Sequence, residues 1–332
     1  MGQAPLSRNR MIEAVEAVDK CGGSVTKAAR LLGVNRLTLN SRLEIARKAG
    51  VVPAPKPDPE PQIVEGQKPR VVVRAGRTST ERIRVLAMGD LHDAPDIPKD
   101  RFRWLGRLAS DEGCDHANSI GDWLTLDSLN THVANETLLG KEKSPFARCI
   151  QSGAESLGEF DRGAGSHSLK RHIELGNHER RAWLYEDHHP ETAGMLTGEL
   201  LHLFESHGFS HTPYGEYFFL GGVGFIHCAI NRLNKSYGGK NAEATIANDA
   251  MFDHVIGHSH VKREHRAPKL GPSRHVTIVN LGCGLPWGHV EPYMYHGALT
   301  GWWWGARIID IECGQITSVR DYAMNELERR YG

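Results

Sequence analysis

Residues 51 to 69 read VVPAPKPDPEPQIVEGQKP, six prolines in nineteen positions. Proline has no amide hydrogen and a fixed φ, so neither a helix nor an inner strand can run through such a stretch. The stretch is expected to be a semi-extended linker. It divides the 332-residue chain into a short head, residues 8 to 50, and a long body, residues 70 to 332. The two parts differ in charge. Residues 1 to 50 hold nine Lys or Arg and four Asp or Glu, a net of +5. The whole chain sums to zero, so the remainder carries −5. That asymmetry points to a basic module attached to a body of another kind, and excludes a chain that is a polycation throughout.

The head has a helical rhythm. Met11, Val15 and Val18 recur at i, i+4 and i+7, the spacing of one helix face. Gly22 and Gly23 break the pattern, and Ser24 is placed to cap a second helix with Ala28, Ala29 and Leu32 on its inner face. Gly33 ends that helix. Asn35 is placed to cap a third, whose inner face is Leu39, Leu43 and Ala46.

Beyond the linker the rhythm changes. RIRVLAMGD (82–90), HANSIGD (116–122), SLKRHIELGNHE (168–179), YFFLGGVGFIHC (217–228) and MFDHVIGHSH (251–260) are apolar runs that each end in polar, cation-binding residue types. RHVTIVNLG (274–282) and GARIIDIECGQITSV (305–319) are further strand candidates, the second folding back at its Gly-Gln pair. Helical patterns such as RFRWLGRLASDEG (101–113) lie between them. Strands alternating with helices predict an α/β sheet with its site along one edge. An apolar content of 39% permits a real core. The six cysteines form no C-x-x-C pair and read as reduced thiols. No apolar run reaches membrane-spanning length, and the first residues lack the apolar core of a signal peptide. The expectation is a cytoplasmic protein with no membrane contact.

In chain order the strand ends carry Asp90 and His92, then Asp122, then Asn177, His178 and Glu179, then His227, then His258 and His260. Carboxylate, imidazole and amide oxygen suit Mn, Fe, Zn or Ni. Side chains alternate along an extended chain, so Asp90 and His92 share one side, as do His258 and His260. This order of D-x-H, G-D, G-N-H-E, a single His and G-H-S-H resembles the calcineurin-like metallophosphoesterase superfamily, over roughly residues 82 to 320. The resemblance implies a four-layer αββα sandwich and two divalent metal ions, manganese first among them. One ion would take Asp90, His92 and His260. The other would take Asn177, His227 and His258, with Asp122 shared. Two such ions about 4 Å apart can clamp a phosphoryl oxygen. The resemblance also implies His178 as the catalytic residue facing the leaving group and Glu179 as an orienting group. Arg180 and Arg181 are candidates to grip phosphate, since a guanidinium suits its oxygens.

The implied activity is hydrolysis of phosphoric esters, with a diester, in nucleic acid, as the leading expectation. The alternatives are a phosphomonoesterase acting on a nucleotide or phosphoprotein, and a DNA-binding regulator with a vestigial body. Serine/threonine phosphatases of the superfamily continue the second motif as G-D-x-x-D-R-G. Here it reads GDWLTLDSLN, without the arginine, which argues against that branch. The intact D-L-H fits a diesterase. The long segment between Asp122 and Gly176 could shape the substrate site, and His132 within it is a candidate for substrate contact. His188, His189, His202, His207 and His211 follow no ligand spacing and read as structural. WWWG (302–305) reads as a packed strand.

Residues 22 to 50, GGSVTKAARLLGVNRLTLNSRLEIARKAG, resemble the helix-turn-helix of factor-for-inversion-type and enhancer-binding regulators. The similarity rests on Ala28-Ala29, the Gly33-Val34-Asn35 turn, and Leu39 and Leu43. It implies Arg36, Thr38, Asn40 and Arg42 as recognition-helix residues and Lys27 and Arg30 as phosphate contacts. A single copy buries little surface on DNA, so an oligomer is a natural expectation.

Overall fold

The computed structural model describes residues 6–51, 82–130, 143–271, 274–291 and 301–332. The expected linker, apart from Val51, and His132 lie outside the described residues. The chain divides into two compact units, Met1–Val72 and Val73–Gly332.

The first unit is three helices, α1 (Arg8–Lys20), α2 (Val25–Leu31) and α3 (Arg36–Lys48). The Ser24 hydroxyl accepts from Lys27 N at 3.5 Å, and Asn35 Oδ1 accepts from Thr38 N at 2.7 Å. Each side chain thus meets one of the amide donors a helix start leaves over. The core is Ala14, Ala17, Ala28, Ala29 and Leu39. The sequence places Met11, Val15 and Val18 on the inner face of α1. In the structure Ala14 and Ala17 are its buried residues, and Met11, Val15 and Val18 flank them half-buried. Alanine at the contact lets three short helices approach closely, which pushes the larger side chains to the shoulders.

The second unit holds two sheets. The first is β1 (Ile83–Met88), β2 (His116–Ser119), β3 (Lys170–Glu174), β4 (Phe209–Thr212), β10 (Gly305–Glu312) and β11 (Gln315–Ala323), in the order β11-β10-β1-β2-β3-β4. Strands β1 to β4 run parallel, and β10 lies antiparallel to β1. The second is β5 (Phe218–Leu220), β6 (Val223–Phe225), β7 (His254–Ile256), β8 (Lys262–Pro268) and β9 (His275–Leu281), in the order β5-β6-β7-β9-β8. Expected strand 217–228 is in fact a hairpin. Gly221 and Gly222 sit at φ +57° and +93°, a conformation open to glycine that turns the chain between β5 and β6. The β10–β11 hairpin turns likewise on Cys313 and Gly314, both at positive φ.

Alternation along β1 builds the layers. Val85 and Ala87 face a core shared with Phe225, Val255, Val279 and Ile309, which lies between the sheets. Leu86 and Met88 point the other way, into a core under α4 (Asp100–Asp111), α5 (Phe146–Ala164), α7 (Met195–Ser206) and α9 (Met324–Tyr331). A third cluster joins α8 (Ala242–Asp249) to the outer face of the second sheet through Ile246, Ala247 and Ile278. The second unit is therefore the four-layer αββα sandwich that the resemblance implies, and the first is a three-helix head. Trp302 and Trp304 pair with Val261 and Cys283 by single bridges and pack half-buried. No helix of the described residues is long and apolar enough to cross a membrane.

One buried carboxyl sits between β2 and β3. Glu174 Oε1 accepts from Asn118 Nδ2 at 3.1 Å, while Glu174 Oε2 has no partner among the described residues. Burial pushes the Glu174 pKa up to about 8 from 4.5. The folded protein then keeps this proton up to about pH 8, whereas the unfolded chain gives it up near 4.5. Stability must fall as pH rises through that window. The expected result is that Glu174→Gln melts above the wild type at pH 8 and shows less advantage at pH 5. The loss it relieves is on the order of 3–5 kcal/mol. Thermal melts of both proteins at the two pH values check it; identical pH trends would show Glu174 to be ionised in the fold.

Candidate metal centre

The polar residues that follow β1, β2, β3, β6 and β7 meet in one place. Asp90 and His92 follow β1, Asp122 follows β2, and Asn177 and His178 follow β3. His227 follows β6, while His258 and His260 follow β7. Asp90, His92 and His260 form one group with ligand atoms within 4.8 Å of one another. Asp122, His227 and His258 form a second. Asp122 stands between them, its Oδ2 3.4 Å from His227 Nε2 and 3.9 Å from His92 Nε2. Asn177 Oδ1 is 2.9 Å from His227 Nε2. All of these residues except Asn177 and His258 are buried.

The backbone is strained where these groups sit. Asp90, His92, Asp122, His258 and His260 all have φ between +24° and +68°. Left-handed backbone at a residue with a side chain costs on the order of 1–3 kcal/mol and persists only where the surroundings impose it. The glycines beside them are needed for another reason. A Cβ on Gly121 would lie 2.5 Å from Glu174 O, one on Gly257 2.5 Å from Ile120 Cγ2, and one on Gly176 would strike the Asp122 carboxylate.

Glu179 holds the strained loops together. Its carboxylate accepts from the backbone N of Asp122 and Gly176, both at 2.8 Å, and of Leu124 at 3.1 Å. It thereby fastens the loop after β2 to the loop after β3. His92 N donates to Asp122 O at 2.8 Å, and His258 N to Asp90 Oδ2 at 2.9 Å.

The donor set fits a cation. His227 Nδ1 donates to Ile120 O at 2.9 Å. A neutral imidazole has one N–H, so His227 Nε2 is left as a bare lone pair. Burial lowers the His227 pKa to about 4, which keeps the ring neutral. That lone pair faces Asn177 Oδ1 and the Asp122 carboxylate. His258 Nδ1 lies 3.2 Å from the same His227 Nε2, and His178 N donates to Asp122 Oδ1 at 2.8 Å. The remaining lone pairs of His227, Asn177 and Asp122 converge on one point, where a cation would relieve their repulsion. His92 Nε2 and His260 Nε2 likewise face each other at 3.0 Å. Burial holds the His92 pKa well below its usual value and the His260 pKa down to about 3. Burial raises the Asp90 pKa well above the ordinary carboxylate range, with Asp122 adding to it, and lifts the Asp122 pKa to about 6. Bound cations would reverse both penalties.

His178 also falls within a group, with His92 and Asp122, but both of its ring nitrogens are engaged. Nδ1 donates to Thr125 O at 2.8 Å, and Nε2 accepts from Arg181 Nη2 at 3.1 Å. Arg181 also donates to Thr125 O at 2.6 Å, from the first turn of α6 (Arg180–His188). Arg180 is exposed, its guanidinium 5.0 Å above the Tyr214 ring.

The sequence reading missed Glu291. It is buried, its Oε1 lies 3.8 Å from His92 Nδ1, and neither atom has a hydrogen-bond partner among the described residues. At 3.8 Å the two are near but not hydrogen-bonded; a carboxylate that closed on the His92 Nδ1–H would fix the ring's tautomer. Nothing in the spacing of WGHVEP could have marked it. Trp302 packs edge-on to His260 at 4.2 Å between ring centroids, another neighbour that no motif announces. The five histidines read as structural stand outside these groups; His207, for example, meets Asp161 Oδ2 at 2.6 Å.

In the head, Lys27, Arg30, Arg36 and Asn40 are exposed, while Thr38 and Arg42 are half-buried on the shoulders of α3. Thr38 also receives the Asn35 cap. The outward face of α3 further presents Leu37, 80% exposed, with Ser41 and Arg47.

Comparison with known proteins bears on the head. Residues 10–44 match the model of the Fis family of bacterial regulatory proteins, and this segment is a Fis-type helix-turn-helix. No curated protein matches the chain. Among solved structures, one neighbour is a conserved uncharacterized protein of Streptococcus pneumoniae described as a predicted phosphoesterase. It is 9% identical, with 73% of this chain and 98% of that one covered, at a TM-score of 0.29. Another is a Thermus thermophilus protein, 12% identical, with 74% and 100% covered, at a TM-score of 0.31. Likenesses at this level carry no weight for function.

Proposed function

We propose that the body is a divalent-metal-dependent phosphoesterase, acting by preference on diesters, and that the basic head brings it to nucleic acid. The observation that carries this is the meeting of acceptors at His227, Asn177 and Asp122 beside the group of Asp90, His92 and His260. Asp90, His92 and His260 would hold one ion; Asn177, His227 and His258 would hold the other; Asp122 would touch both. Such ions, manganese by preference, supply Lewis acidity toward a phosphoryl oxygen and a nucleophile at neutral pH.

The protein's own residues do the rest. Glu179 holds the backbone of the second and third motifs in register. Thr125 and Arg181 fix the His178 ring against His92, at 4.6 Å between centroids. So held, His178 would face the leaving oxygen. Arg181 serves it as a positioning residue. Arg180, exposed over Tyr214, is the arginine better placed to reach a phosphate.

Parallel assays on an oligonucleotide, a generic diester and a generic monoester, each with Mn, Fe, Zn and Ni, test the reading. Turnover of the monoester alone would move the assignment to a phosphomonoesterase, and absence of both turnover and stoichiometric metal would leave a regulator. The head makes a separate prediction. Phosphate contacts release counterions, so DNA binding by the full chain should weaken on the order of 100-fold between 50 and 200 mM salt for three to four contacts. Arg36→Ala with Asn40→Ala should remove most of that binding in an anisotropy titration and leave hydrolysis of the small diester unchanged. Binding that ignores salt, or survives both substitutions, would take nucleic acid out of the proposal.

A further inference from the structure

A cavity of about 580 Å³ opens beside the centre, and Gly257, His258 and Ser259 form one of its walls. Its size falls within the range of small-molecule sites, roughly 300–1,000 Å³. Because the loop bearing His258 lines it, a group seated there is continuous with whatever occupies the metal centre. Tyr237, Gly238, Gly239 and Lys240 also line it; they belong to the segment 230 to 241, which connects the His227 loop to α8 and holds no acidic residue.

The charged groups in the cavity are unevenly committed. Glu243 is buried, accepts from Asn280 Nδ2 at 2.8 Å and lies 3.7 Å from Arg263 Nη1. Its charge is therefore already met. Arg263 also donates to Lys240 O at 3.0 Å, which ties β8 to the basic loop. The Lys240 ammonium is exposed and has no ion pair among the described residues. Asn280, 2% exposed, spends both amide hydrogens on Glu243 and Ser259, and its carbonyl oxygen is left without a partner. Lys240 and Arg263 against Glu243 leave these side chains one net positive charge, which favours an anion in the cavity.

Resting on the phosphoesterase reading, we infer that this cavity seats the substrate arm beyond the scissile phosphate, and that Lys240 and Arg263 hold a second phosphate on that arm. The substrate class is then a diester that carries a further phosphate. A nucleic-acid strand and a pyrophosphate-linked nucleotide share that chemistry. A bare diester lacks the second anion and forgoes the Lys240 and Arg263 contacts.

Equilibrium binding tests this on the full-length, manganese-loaded protein. The probe is a fluorescent, phosphorothioate-linked thymidine dinucleotide, with and without a terminal phosphate. The phosphorylated form is expected to bind about tenfold more tightly, which is about 1.4 kcal/mol. Lys240→Gln should erase most of that ratio. Its ammonium touches no other group among the described residues, so the fold is not at risk. Arg263→Gln should do the same as a second, independent variant. Equal affinities in the wild type, or a ratio that survives in both variants, would overturn the inference. A longer strand and a pyrophosphate-linked dinucleoside distinguish the two sources, and whichever loses more affinity in Lys240→Gln is the one the cavity takes. Turnover of bis(4-nitrophenyl) phosphate, which has no second phosphate, judges the phosphoesterase reading separately. Its absence with every metal would sink that reading whatever the affinity ratio.

Discussion

Asp122→Asn should abolish hydrolysis and strip the protein of most bound metal, while His178→Ala should lose activity with its metal retained. The contrast follows from position. Asp122 is the carboxylate that stands between the two groups, within 3.4 Å of His227 Nε2 and 3.9 Å of His92 Nε2. Losing its charge leaves the neighbouring rings facing one another without a shared anion. Losing merely an outer partner of a ligand weakens metal binding about 10- to 100-fold, so removing a ligand charge common to both groups should exceed that. His178 has both ring nitrogens committed to Thr125 and Arg181. Its removal takes away no proposed ligand, and the expected loss in kcat is about 10²–10⁴-fold. Elemental analysis of the two purified variants, beside their turnover of a small diester, gives the answer. Metal-free His178→Ala together with fully loaded Asp122→Asn would reverse the roles assigned here.

Glu179→Ala should be the most destabilising single change at the site. Three backbone amides, of Asp122, Leu124 and Gly176, donate to this one buried side chain. Each amide left without a partner costs about 1–3 kcal/mol, so the total is on the order of 3 kcal/mol or more. In a unit of this size that lowers Tm by roughly 6–12 °C. The loss should also reach the metal, because Asp122 keeps its left-handed backbone only while its loop is held. Glu179→Gln retains one acceptor oxygen and should fall between the two. Calorimetry with metal titration would measure both effects, and an alanine variant that melts with the wild type would show that the clamp is not what fixes these loops.

Much of this was legible in the chain. An apolar run that stops at Gly-Asp or Gly-Asn-His is a local pattern, and a parallel strand delivers its last residues to one edge of a sheet. The polar residues at the strand ends and the three-helix head follow from such local signals. So do the Ser24 and Asn35 caps, since a cap is a contact across three residues. The ligand set and the four layers were what the motif resemblance implied. Four other features depend on chain segments that meet only in the fold. Glu291 reaches His92 across nearly two hundred residues. Arg181 turns to His178 and Thr125. Lys240 and Arg263 share a cavity with His258. Ala14 and Ala17, rather than Val15, form the floor of the head. Five candidate ligand positions in left-handed backbone were equally hidden, because residue type does not predict a conformation that costs energy. Short-range periodicity determined which residues would arrive at the edge. Packing between distant segments decided how each is held, because burial, strain and pairing exist only once those segments touch.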